Sequence, residues 1–92
     1  MAMPNPVVGL NDNLEFMGRR LHVQTENTGS AAGRIITQVF CGGRVVLSKK
    51  SECPPDVCAS HDFSKIQQLM KRQHYKIIEE LTNKQARILG SH

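Results

Sequence analysis

Aromatic side chains are scarce in this 92-residue sequence, with three Phe, one Tyr and no Trp. Proteins that hold single-stranded nucleic acid stack bases on exposed rings; two of the three Phe sit among apolar neighbours, so few rings are left for that role. No stretch of 18 apolar residues occurs, which leaves nothing to span a membrane as a helix. The opening MAMPNPVVGLNDN has neither the basic head nor the apolar stretch of a secretory signal, and a cytoplasmic location is the expectation. Cysteines number three, and an odd count precludes a complete intrachain disulfide framework. No internal repeat or low-complexity tract is found. Paired-carboxylate spacing and a nucleophile elbow are both missing, and no enzymatic activity is expected. The loop NTGSAAGR lacks the Lys-Ser/Thr ending of a phosphate cradle and leads into a strand rather than a helix N-terminus.

A chain of this length forms one small domain with a modest core, of the kind that leans on a metal, a disulfide or a partner. Hydrophobic residues make up 39% and charged residues 22%, the ordinary balance of a globular protein. The net charge of +4 permits an acidic partner or nucleic acid without requiring either.

Residues 1–13 are rich in Pro, Asn and Gly and read as a flexible arm, followed by a single domain over 14–89 and a short tail at 90–92. Within RRLHVQTE, Leu21, Val23 and Thr25 alternate with His22, Gln24 and Glu26, the period of a half-buried strand. RIITQVFC, residues 34–41, is dense in β-branched side chains and reads as a second strand. Gly42-Gly43 supplies the positive φ angles of a primed two-residue turn, and RVVLSKK, residues 44–50, follows as a third strand. Strict alternation from that turn sets Phe40 opposite Val45, Val39 opposite Val46 and Gln38 opposite Leu47. Both faces then carry apolar residues, and a single helix covers only one of them.

The prolines of SECPPDVCASH exclude a central strand and mark a connector. From Asp62 to Leu89 the pattern is helical, with Phe63, Ile66, Met70, Ile77, Leu81 and Ile88 on one stripe at 100° per residue. Such a helix is about 40 Å long at 1.5 Å per residue, twice the roughly 20 Å of a short strand. It must overhang the sheet, break, or pack on a second subunit. His74 falls on the apolar stripe, where a histidine is a satisfied core residue more often than a proton-sensitive switch.

CPPDVCASH carries ligand types that zinc favours in Cys53, Cys58 and His61, with His22 or Cys41 as a conceivable fourth. The second half of a zinc pattern is missing; a Cys53–Cys58 disulfide is an equal alternative to zinc, and a plain strand-to-helix connector whose cysteines have no special role explains the stretch better than either. No cofactor other than zinc comes into consideration. Arg19, Arg20, Arg44, Lys49 and Lys50 are the residues a nucleic-acid-binding module would use, but paired charges on a strand project to opposite faces and make no single stripe.

His22 to Glu26 (HVQTE), the glycine turn at Gly42-Gly43 and LMKRQHYKII over Leu69 to Ile78 together resemble a pattern in small uncharacterised bacterial proteins. The resemblance spans roughly residues 14–82. It implies a bacterial cytoplasmic setting and the order strand, strand, strand, helix, and it transfers no activity or catalytic residue.

The expected fold is α+β, a three-stranded antiparallel meander packed against one long C-terminal helix. The expected function is that of a non-enzymatic protein–protein interaction module, an adaptor or regulatory subunit, homodimeric through apolar sheet and helix surface. Ile35, Val39, Val46, Ile78 and Leu89 are the interface candidates, with ordinary core as the alternative for each. A nucleic-acid-binding module and a zinc-stabilised domain are the competing classes.

Overall fold

The computed structural model describes residues 9–27, 33–54, 56 and 63–90. It is an α+β fold in which a four-stranded antiparallel sheet carries one helix on one face. The strands are β1 (Leu10–Phe16), β2 (Arg19–Asn27), β3 (Arg34–Cys41) and β4 (Arg44–Glu52), paired in chain order, and α1 (Phe63–Gly90) closes the chain.

The sheet therefore has one strand more than the three expected. β1 begins at Leu10, inside the stretch that reads as a flexible arm; residues 1–8 lie outside the described ones. The sequence LNDNLEF hides a strand because its inward positions are Leu10, Asp12, Leu14 and Phe16, and the aspartate breaks the apolar alternation. The turn into β2 is concealed in the same way. Met17 and Gly18 both have positive φ, 51° and 81°, the same backbone that Gly42 and Gly43 adopt at 60° and 81°. Both hairpins thus use a primed two-residue turn matched to the twist of the strands. In one of them a methionine occupies a position that glycine or asparagine usually takes.

The β3–β4 register also differs from strict alternation. Phe40 pairs with Val45 and Cys41 with Arg44 as expected, but Val39 pairs with Leu47 and Gln38 with Ser48. A bulge at this point inserts Val46 as an extra residue. One inserted residue turns every later side chain to the other face. Leu47 consequently joins Val39 on the helix side, while Val45 stays with Phe40 on the open side. The face away from α1 is then mostly polar, with Asn13, His22, Gln24 and Gln38 around Ile36 and Phe40. Among the described residues no element covers it.

α1 runs unbroken for 28 residues. It follows the direction of β1, from Leu69 and Met70 near Leu10 to Gln85, whose Oε1 accepts from the Met17 backbone N–H at the β1–β2 turn. The residues after Gln85 overhang the sheet, so Ile88 is 41% exposed although the stripe begun by Ile66, Met70 and Ile77 is buried. Arg87 in the last turn complements the negative end of the helix dipole.

The core divides in two. Ile35, Cys53, Ile66 and Met70 pack together with Leu10 and Leu69. Leu21, Val23, Val39 and Ile77 form the second cluster, flanked by Leu14, Phe16, Cys41, Ile78 and Leu81. Burying each such side chain contributes about 1.5–3 kcal/mol relative to leaving it in water. On β1, β2, β3 and α1 the inward residue at the boundary of the clusters is polar: Asp12 between Leu10 and Leu14, Thr25 after Val23, Thr37 between Ile35 and Val39, His74 between Met70 and Ile77.

Candidate interaction surface

These four polar residues form one hydrogen-bonded chain. Gln73 Nε2 donates to Thr37 Oγ1 at 3.0 Å, and the Thr37 and Thr25 hydroxyls lie 2.7 Å apart. Thr25 Oγ1 is 2.7 Å from His74 Nδ1, and His74 Nε2 is 2.7 Å from Asp12 Oδ2. At the far end the Ser51 hydroxyl donates to Gln73 Oε1, and Gln73 Nε2 also approaches the Lys49 carbonyl at 3.3 Å. The chain therefore touches all four strands and α1. One proton arrangement serves every group: Thr37 donates to Thr25, Thr25 to the Nδ1 lone pair of a neutral imidazole, and Nε2–H to the carboxylate. No buried side-chain polar atom among the described residues is left without a partner. His74 is thus a satisfied core residue, held by side chains on β1 and β2.

Carboxylate, imidazole and hydroxyl stand here in the order of a hydrolase triad. A nucleophile must reach its substrate, however, and Thr25 is fully enclosed with its oxygen engaged by both Thr37 and His74. What the chain supplies is register. A polar layer between two apolar layers allows one placement of α1 along the sheet, because sliding by a turn would bury the imidazole without partners.

Among the described residues a further stretch, on the helix face of the sheet along β4, is left uncovered. α1 packs on β1, β2 and β3, and the described contacts of its side chains with β4 come from Gln73, which bridges to Lys49 and Ser51. A groove is left between helix and edge strand. Its lining includes Ile35, Lys49, Pro54, Leu69, Arg72 and Lys76, and it continues toward Ile77 and Glu80. At 100° per residue Leu69, Gln73, Lys76 and Glu80 share the helix flank toward β4. Beyond Lys49 on the same strand face comes Leu47, and next to it Val46 and Val45; these three are 37%, 58% and 49% exposed.

The five interface candidates do not come together. Ile35 and Val39 are core residues beneath α1, at 2% and 0% exposure, and Ile78 is half-buried against the second cluster. Val46 lies on the β4 edge. Leu89 is exposed on the overhang, on the helix flank away from β4. The bulge that exposes Val46 and the overhang that exposes Leu89 are separate causes. Exposed Val45 and Leu47, which belong with Val46, are visible only once the helix is placed.

The basic candidates also divide. Arg19 and Arg20 border a shallow depression with His22, Phe40 and the Gly42-Gly43 turn. Arg44 pairs with Cys41 and Lys49 with Thr37 on the helix side, and Lys50 pairs with Ile36 on the open side. The ring centroids of His22 and Phe40 lie 6.3 Å apart on the open face with their planes tilted by 43°, and the imidazole is held by Asn13 and Asn11.

For zinc, Cys58 and His61 lie outside the described residues. Cys53 is a free thiol buried in the first cluster, its backbone N–H bonded to the Gly33 carbonyl at 2.9 Å. His22 is on the opposite face of the sheet from Cys53, and Cys41 belongs to the second cluster. The described residues contain no group of three or more metal-ligating side chains. Comparison of the chain with protein families, curated proteins and solved structures finds no match.

Proposed function

We propose that this domain is a non-enzymatic protein–protein interaction module, an adaptor or regulatory subunit, and that it self-associates as a homodimer. One observation carries the reading: the helix leaves the edge strand β4 uncovered, and Val45 on its open face, Val46 at the bulge and Leu47 on its helix face are all exposed along that edge. Apolar side chains exposed together along a sheet edge suit a partner site. The same three residues would otherwise be a liability of the folded chain, since β4 is a sheet edge. The enclosed Thr25 hydroxyl supports the non-enzymatic part.

Sedimentation velocity at micromolar concentration tests the dimer. The expected result is a dimer that Val46→Lys converts to a monomer with unchanged circular dichroism, because the new charge sits on a side chain that is 58% exposed in the folded subunit. A wild-type protein that remains monomeric across the micromolar range rejects self-association, and a Val46→Lys protein that remains dimeric places the contact elsewhere.

A further inference from the structure

We infer that the groove between α1 and β4 seats an acidic amphipathic helix from a different protein. This rests on the interaction reading above and names the chemistry of a second partner, at a place distinct from the Val45–Leu47 run.

The groove borders the strand that α1 leaves open. Four strands spaced about 4.8 Å apart make a sheet wider than one helix of about 10 Å diameter can cover. α1 sits over β1 to β3, so about 5 Å of sheet width along β4 is left to a second element, which would overhang the edge and lie across Gln73 where it bridges to Lys49 and Ser51. From Leu69 to Glu80 the helix flank measures about 17 Å at 1.5 Å per residue, or three turns of a partner. The accessible apolar lining is Leu69 and Pro54 with the aliphatic stems of the basic side chains, and the buried Ile35 and Ile77 lie beneath it.

The walls select the charge. Lys49 stands on the strand side, and Arg72 and Lys76 stand on the helix side. Among the described residues none of the three makes an ion pair. The carboxylates at hand, Glu52 and Glu80, lie toward the two ends. A segment that presents leucine-like residues downward and carboxylates to both sides complements this arrangement.

Other occupants fit less well. A strand added to the β4 edge meets the bulge at Val46 and the charges of Lys49 and Lys50, the devices that natural sheets use to blunt an edge. The helix of a second copy would bring like charges together, because α1 carries six Lys and Arg against two Glu. No aromatic ring lines the groove on which a nucleic-acid base could stack.

The test uses the full chain and three synthetic, helix-stapled peptides of about 14 residues, near four turns. One carries leucines at i, i+3, i+4 and i+7 with flanking glutamates, one replaces the glutamates by lysines, and one replaces the leucines by serines. Binding is followed by fluorescence anisotropy and by backbone amide shifts. The acidic amphipathic peptide is expected to bind saturably and to shift Lys49, Ser51, Leu69 and Gln73. The other two peptides are expected to bind far more weakly. The double variant Lys49→Glu, Lys76→Glu should weaken binding on the order of tenfold or more, from two surface attractions turned into repulsions. Lys49→Ala, Lys76→Ala serves as the gentler check should the reversal disturb folding. Absence of saturable binding, equal binding of the lysine peptide, or shifts confined to Val45–Leu47 would overturn the proposal. The two readings separate cleanly. A dimer dissolved by Val46→Lys that ignores the acidic peptide leaves the dimer standing and removes the groove, and a monomer that binds the peptide does the reverse.

Discussion

The two hairpins of this sheet are built alike and treated differently by the fold. β1–β2 and β3–β4 both turn on two residues with positive φ, at the same end of the sheet. The first has a poor strand sequence, LNDNLEF, yet Leu14 and Phe16 pack under α1 and the Met17 N–H is taken up by Gln85. The second holds RVVLSKKSE, rich in β-branched residues at its start, yet every residue of β4 except Ser51 is exposed. Strand propensity therefore says little here about which strand is buried. Propensity reports how a side chain suits a pleated surface, whereas burial depends on which strands a single helix reaches.

The largest expected effect separates the covered region from the uncovered one. Met70→Ala, beneath the helix at 0% exposure, should cost about 2–5 kcal/mol through lost transfer energy and a residual cavity. Val46→Ala should stay within about 0.5 kcal/mol in the monomer, as surface substitutions do. Urea unfolding of both under monomeric conditions checks this, and comparable losses would mean that β4 is covered in solution.

The next effect concerns the polar layer between the two clusters. Thr25→Val keeps the shape but leaves His74 Nδ1 and the Thr37 hydroxyl without their partner, at an expected cost of about 1–3 kcal/mol. The triple variant Thr25→Val, Thr37→Val, His74→Leu removes the buried partners together and should recover much of that loss. Its price is register, and α1 should show more than one placement in amide spectra. A Thr25→Val protein as stable as the wild type would show that the chain contributes nothing to stability.

The smallest effect compares the turns. Alanine at Gly18 or Gly43 must adopt a φ of +81°, which costs an L-residue roughly 1–2 kcal/mol. In a domain of this size 1 kcal/mol moves the Tm by about 4–8 °C. Gly18→Ala should lower the global Tm, because its hairpin is tied to the helix. Gly43→Ala should additionally raise hydrogen exchange in β4, which α1 does not cover. Equal exchange in the two variants would erase the distinction between the hairpins.

Much of the fold could be read in the residues. The 3.6-residue period of Ile66, Met70 and Ile77 marked α1, the alternation in LHVQTE marked the inward face of β2, and Gly42-Gly43 marked one turn. β1 was missed because Asp12 occupies an inward position and Met17 a positive-φ one, and neither has a local signal. The bulge at Val46 was missed because register was carried outward from the turn by strict alternation. For the candidate surface, Val46 and Lys49 were legible as strand residues. The neighbourhood of Lys49 with Leu69, Arg72 and Lys76 was not, since it joins positions some twenty or more residues apart.

Local order along the chain, then, was determined by the sequence alone: strand periods, a glycine turn, a proline-marked connector and an amphipathic helix all follow from neighbours within a few residues. Tertiary structure decided the rest. It turned Asp12, Thr25, Thr37, Gln73 and His74 from scattered polar residues into one satisfied chain, and it left β4 open because one helix is narrower than four strands. Both outcomes depend on contacts between distant segments, where the free energy of burial and of partnered polar groups outweighs local preference.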